Sequence, residues 1–268
     1  MPLQYGQFLQ AIQSGKLENT VSRFTKIENL DSPLFPLTNT KYILAVKYTD
    51  KMERSPNGIK LKDIYNKPYL KPVFEHGTVV ILENQKYLPR AFVVSKAEVI
   101  EDDTQLINIL TDPSTDFLQT VFVETLGAVG APLVDAHAQP WAGTRPAPTT
   151  PNYQISWRQT TGNTRRLTVQ SDLPGYLVLL ESHNPGWHAE ICNQSQPKAG
   201  QPMAEDVRCQ MSEVLRANFT FMAFPIGRGT SHITLTYYPN SFKYGLWITG
   251  VGISIFIMLS LIQYKKRK

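Results

Sequence analysis

The sequence predicts an α+β N-terminal module, then an all-β, sandwich-like module, then one C-terminal transmembrane helix. Three observations carry that prediction. From Tyr244 to Tyr264 no residue is charged, and Leu246–Ile262 is dominated by Leu, Ile, Val, Phe, Gly and Trp. Between residues 153 and 239 apolar side chains recur at period two, the period of a strand with one face covered. Between residues 41 and 125 short apolar runs surround one segment of helical spacing.

Taken in order, residues 1–40 read as a helical lead-in, with helical residues continuing to about Leu30. Met1–Leu17 has no basic n-region, no apolar h-region and no small-residue cleavage site, so it does not read as a signal peptide. The small α+β module, 41–125, opens with a strand over Tyr42–Val46. Thr78–Leu82 and Ala91–Val94 repeat that pattern, bounded by Gly77 and Pro89. Leu106, Ile107 and Leu110 take helical spacing, with acids ahead of them and Pro113 beyond. Val121–Val123 adds a strand.

Residues 126–152 are rich in Gly, Ala, Pro and Thr and read as an irregular linker. In the module 153–239, Leu167 and Val169 alternate with Arg166, Thr168 and Gln170. Ile233, Leu235 and Tyr237 alternate with His232, Thr234 and Thr236. Tyr176–Leu180 is continuously apolar, as a strand covered on both faces is. Turn signals at Asp172–Gly175, Asn184–Gly186 and Gly227–Gly229 separate these runs, which suits a β-sandwich.

The segment 244–264 matches the roughly 20 apolar residues that a bilayer core of about 30 Å requires. Trp247 and Tyr264 stand near its ends, and the tail 265–268 is Lys-Lys-Arg-Lys, which marks the cytoplasmic side. The bulk of the chain is then expected on the other face. Without a signal peptide, that orientation implies an upstream multi-pass portion that delivers Met1 outward, or a separate membrane partner.

Four of the net +5 charges lie in that tail, leaving the body near +1. No basic stripe exists to neutralise phosphates, so nucleic acid is not an expected partner. Nothing matches a nucleophile elbow, a zinc-protease helix, a P-loop or a dinucleotide fingerprint, and no cofactor or metal is assigned. Cys192 and Cys209, 17 positions apart, are expected to pair in an oxidising compartment; the alternative is two unrelated buried thiols.

Two groups of side chains are candidates for function. Glu181 and His183, with His188 and Glu190, stand almost symmetrically about Asn184-Pro185-Gly186-Trp187. Folded as two strands around a tight turn, they would gather two imidazoles and two carboxylates, a zinc-ligand or acid–base set. The favoured alternative is a polar rim on a surface turn, with Trp187 packed into the sandwich. Trp187, Trp157, Tyr237 and Tyr238 form a possible glycan platform, since aromatic faces take the C–H surfaces of sugar rings. At alternating strand positions such residues more often belong to the core. Arg90 is expected to anchor a loop through carbonyls or an acid.

One resemblance follows from runs of residues in order. Asn39-Thr40-Lys41-Tyr42-Ile43, Glu83-Asn84 and Leu88-Pro89-Arg90-Ala91-Phe92 precede Leu177–Glu181, Pro185-Gly186-Trp187, Arg216-Ala217-Asn218, Pro225-Ile226-Gly227, Tyr237-Tyr238-Pro239 and Phe242–Gly245. The succession resembles the C-terminal part of the YfhO-type bacterial membrane proteins. These are similar to multi-pass glycosyltransferases of the GT-C type, which use polyprenyl-phosphate sugars. The resemblance implies an extracytoplasmic accessory region on a bacterial cytoplasmic membrane, with a glycan or polyprenyl-linked sugar nearby. It transfers no catalytic residue, because the family's acidic residues lie in an early loop with no counterpart here. Where members tend to have a short Asp-Gly turn, this chain carries the Cys192–Cys209 insertion. An independent membrane-anchored carbohydrate-binding or assembly module is the alternative expectation.

Overall fold

A computed structural model describes residues 3–19, 25, 27–46, 64, 66–125, 151–194 and 207–267 of the chain. Helix α1 (Leu3–Ser14) buries Phe8, Ala11 and Ile12 on one stripe. Gly15, at φ 71°, takes the left-handed position that ends it. This is shorter than the lead-in expected to about Leu30. Among the described residues, the next helical turn is a 3-10 helix at Phe35–Thr38.

Strands β1 (Tyr42–Val46), β2 (Leu70–His76) and β3 (Val79–Asn84) form an antiparallel sheet in the order β1-β3-β2. It covers a small core of Ala45, Ile64, Tyr69, Leu70, Val80 and Leu82. β4 (Ala91–Val94), β5 (Lys96–Val99), α2 (Asp103–Leu110) and β6 (Thr120–Val123) follow. Asp102 caps α2 by accepting from the Gln105 amide at 2.6 Å, and Leu106, Ile107 and Leu110 face inward. β5 and β6 pair in parallel, so α2 serves as the crossover such a pair requires.

The remaining strands are β7 (Tyr153–Thr160), β8 (Thr164–Ser171), β9 (Gly175–Leu179), β10 (Trp187–Gln194), β11 (Val207–Ser212), β12 (Leu215–Ala217), β13 (Phe221–Ile226) and β14 (Gly229–Tyr237). They complete a five-stranded sheet, β11-β10-β14-β8-β7, and a six-stranded sheet, β4-β9-β13-β12-β6-β5. Leu177 and Leu179 of β9, Ala91 and Val93 of β4, and Met222 and Phe224 of β13 face Leu167, Val169, Ile233 and Leu235 across the sandwich. The alternate residues Val178, Phe92, Phe221 and Ala223 turn to the other side, onto α1 and α2. Burial on both faces explains the unbroken apolar run at Tyr176–Leu180.

The two expected modules are joined through one sheet. β4, β5 and β6 come from the first half and β9, β12 and β13 from the second, yet all six share one sheet. The two larger cores draw residues from both halves. The linker expected at 126–152 lies outside the described residues but for its last two positions.

β14 ends at Tyr237, and α3 (Asn240–Arg267) starts three residues later. At about 1.5 Å per residue its 28 residues run some 42 Å. Among the described residues nothing covers its apolar stretch, and Trp247 and Ile248 are 76% and 72% exposed. A helix apolar all round and uncovered is suited to lipid. α3 is long and apolar enough to cross a membrane.

Candidate functional site at the α3 end of the sandwich

Four inward-facing residues of the five-stranded sheet lie at the end from which α3 departs. They are Trp187, Tyr237, Arg165 and Trp157: register sets Trp187 opposite Tyr237, Arg165 opposite Leu235 and Trp157 opposite Leu167. Trp187 and Tyr237 meet with ring centroids 5.2 Å apart. Arg165 holds the inward position that the period-two pattern of β8 otherwise gives to Leu167 and Val169, so its charge points at the gap between the sheets.

The opposite sheet supplies the counter-charge. The Leu180 amide donates to the Arg90 carbonyl at 2.9 Å, which extends the β4–β9 ladder and sets Glu181 beside Arg90. Arg165 Nε donates to Glu181 Oε1 and Oε2 at 3.1 and 3.0 Å. Arg90 Nε donates to Oε1 at 2.9 Å, and Arg90 Nη2 makes a still closer contact. The anchor expected for Arg90 is thus an acid, Glu181. Each guanidinium also lies over an indole: Arg90 over Trp157 at 4.4 Å and Arg165 over Trp187 at 5.4 Å. One carboxylate, two guanidiniums and two indoles clamp the two sheets together at this end.

The same cluster fixes the start of α3. Gly186 O accepts from the Tyr238 amide at 2.7 Å, and Trp187 N donates to Asn184 O at 3.0 Å. A Cβ on Gly186 would lie 2.8 Å from Tyr237 Cε2 and 2.9 Å from Pro239 Cα, so only glycine lets the two segments approach this closely. Tyr238, 40% exposed, packs edge-on against Phe242 and carries Lys243 Nζ 5.1 Å above its ring.

Of the proposed aromatic platform, Trp157, Trp187 and Tyr237 come together and Tyr238 stands apart, facing outward. Guanidiniums take one face of each indole, and both rings pack on the sandwich core. Of the four, only Tyr238 is exposed, and Lys243 Nζ lies over its ring.

The Glu181, His183, His188, Glu190 quartet is not gathered. β9 belongs to the six-stranded sheet and β10 to the five-stranded one, so residues 181–186 cross between sheets instead of making a hairpin. Glu181 joins the arginine clamp. His183 turns to the other side, with Nε2 3.2 Å from Val214 O. His188 and Glu190 stand exposed on the outer face of β10. A different donor group does assemble there: one ligand atom each of Glu190, Cys192 and Cys209 lie within 4.8 Å of one another. Cys192 and Cys209 oppose each other on β10 and β11 and form a disulfide.

Two further features escape sequence inspection. Arg216, its side chain 8% exposed, donates to Glu124 Oε2 at 2.8 Å, Asp103 Oδ1 at 2.9 Å and Phe219 O at 3.1 Å. Hydrogen bonding from Arg216 holds the Glu124 carboxyl below its ordinary range. Burial pushes the neighbouring His183 imidazole below its ordinary value, with the Arg216 charge acting in the same direction. The second feature is a cleft of about 280 Å³ lined by Asp31, Phe35, Tyr69, Lys86 and Phe117 among others. Tyr69 Oη donates to Asp31 Oδ1 at 2.8 Å and Lys67 also binds this carboxylate, so the acid is already engaged.

No family model, curated protein or solved structure matches this chain.

Proposed function

We propose that the chain is a membrane-anchored, non-catalytic module that positions a glycan or cell-envelope polymer at the bilayer surface, as the accessory region of a YfhO-like membrane glycosyltransferase. One observation supports this most: only Tyr238 and Pro239 separate the sandwich from the lipid-suited helix, and Gly186 ties that junction down. A rigid body held this close to a bilayer orients whatever it binds, which contributes to a reaction through proximity alone. The arginine clamp suits such a role. Both Glu181 oxygens accept from guanidiniums, so the carboxylate serves to hold the two sheets in register. In this reading the body lies outside a bacterial cytoplasmic membrane and the basic tail inside.

The three cores close without help from α3, which favours a second reading, an independent anchored carbohydrate-binding or assembly module. A glycan array probed with the full chain in lipid nanodiscs tests what both readings share. Retention of envelope polysaccharide or a polyprenyl-linked sugar is expected. Tyr238→Ala should reduce it by about tenfold, as the loss of one aromatic contact does. An array on which the folded chain retains nothing contradicts both readings.

A further inference from the structure

The outer face of the five-stranded sheet carries a donor set unrelated to the arginine clamp. Cys192 on β10 opposes Cys209 on β11 and, on its other side, His232 on β14. Glu190 lies two residues along β10 and therefore on the same face. Cys209, Glu190 and His232 are exposed, whereas Ala189 and Ile191, on the opposite face of β10, are buried in the core. Chemistry at the sulfurs is thus separated from the packing that holds the strand in place.

We propose that reduction of the Cys192–Cys209 disulfide opens a site for a zinc-class divalent cation, bound by both thiolates and Glu190, with His232 placed to complete the set. Reduction adds two electrons and two protons to the S–S bond, supplied by a dithiol or phosphine reductant, and yields two thiols. Binding of the ion displaces both protons, because the thiolate is the ligand. Thiolate donors favour zinc over magnesium or calcium, and a carboxylate or imidazole completes an ordinary zinc set.

Distances support the geometry. Tetrahedral bonds of about 2.0–2.3 Å place ligand atoms roughly 3.3–3.8 Å apart. The three donors already lie within 4.8 Å of one another, and once the S–S bond is broken the two sulfurs separate to the spacing of two thiolate ligands. The scaffold survives reduction, since β10 is paired along its length with β14 as well as β11. His232 Nδ1 stands 3.1 Å from Thr168 Oγ1. His232 lies outside the three-donor set, so its ring would have to turn and exchange that contact for the ion. The disulfide form has no thiolate to offer, so cation binding is gated by redox state.

The test uses the full chain in detergent micelles, titrated anaerobically with Co²⁺ and then Zn²⁺ after reduction by a phosphine. Thiolate-to-cobalt absorption at one ion per chain, displaced by Zn²⁺, is the expected result. The disulfide form should bind on the order of 100-fold more weakly, and Glu190→Gln should weaken the reduced form about tenfold. Glu190→Gln keeps both cysteines, so far-UV circular dichroism can confirm its fold. Cys209→Ser, or alkylation of the reduced wild type should that variant not fold, should abolish the thiolate-to-cobalt absorption. Equal affinity in the reduced and oxidised forms overturns the proposal. So does a folded Glu190→Gln that binds as tightly as the wild type.

Discussion

Glu181→Ala removes the one acceptor that Arg90 and Arg165 share, and the structure sets the size of the effect. The Arg165 side chain is 13% exposed and the Arg90 side chain 37%. A hydrogen bond to a charged group contributes about 1.5–3 kcal/mol, and the mostly buried Arg165 should lose most of that. Arg90 is open enough to solvent that its share falls to the surface value of about 0–1 kcal/mol. Residual bonds from Arg165 to the Thr161 and Thr164 carbonyls soften the loss. The sum is about 3 kcal/mol, at the low end for breaking a buried pair. For a body of this size that lowers Tm by about 6–12 °C. Thermal unfolding followed by tryptophan fluorescence reads it directly, because Trp157 and Trp187 sit in the cluster. Arg90→Ala should cost about 1 kcal/mol, and the Glu181–Arg165 double-mutant cycle should show coupling of about 1–3 kcal/mol. A Glu181→Ala cost under about 1 kcal/mol, or a cycle with no coupling, refutes the clamp.

Other predictions use different parts of the fold. Gly175→Ala would place a Cβ 2.4 Å from the Val94 carbonyl oxygen, so denaturant unfolding should show a loss of about 1–3 kcal/mol or more. Gly186→Ala should cost a similar amount through Tyr237 and Pro239. His183 is harder to protonate folded than its ordinary 6.5, through burial first and Arg216 second, with Val214 O and Glu124 opposing. The unfolded chain therefore takes up that proton first. Stability from neutral His183 is intact above about pH 6.5 and declines as pH falls toward the lower folded value. Urea midpoints of His183→Gln should depend less on pH across that window. Val251→Arg, near the middle of the apolar stretch, should cost about 2.5–3.5 kcal/mol of insertion and deplete the membrane fraction.

Legibility followed the range of the interactions. The period-two pattern located β8 and β14, and the helical spacing of Leu106, Ile107 and Leu110, with acids ahead and Pro113 beyond, marked α2, because alternation and helix-boundary signals are local. β2 was not legible. Its outward Phe74 and its Pro72 obey no alternation, and a register shift between these residues breaks the pattern. Long-range pairing was equally hidden. Nothing near Val94 says that it neighbours Tyr176, so the two halves read as separate modules although they share a sheet. Glu181 drew notice for its neighbour His183, whereas its partners Arg90 and Arg165 come from β-ladders 91 and 16 residues away. The cysteine spacing suggested pairing, but the cross-strand register that also brings up Glu190 and His232 appears only once the sheet is built.

Protease protection in sealed, right-side-out membrane vesicles tests the central claim most directly. With the chain tagged after Lys268, external protease should digest the body as far as the Tyr238–Pro239 junction and leave a short, membrane-bound tagged fragment. A body left intact, a tag removed by protease outside sealed vesicles, or a chain released by alkaline carbonate would contradict an α3 that crosses the bilayer with its basic tail inside.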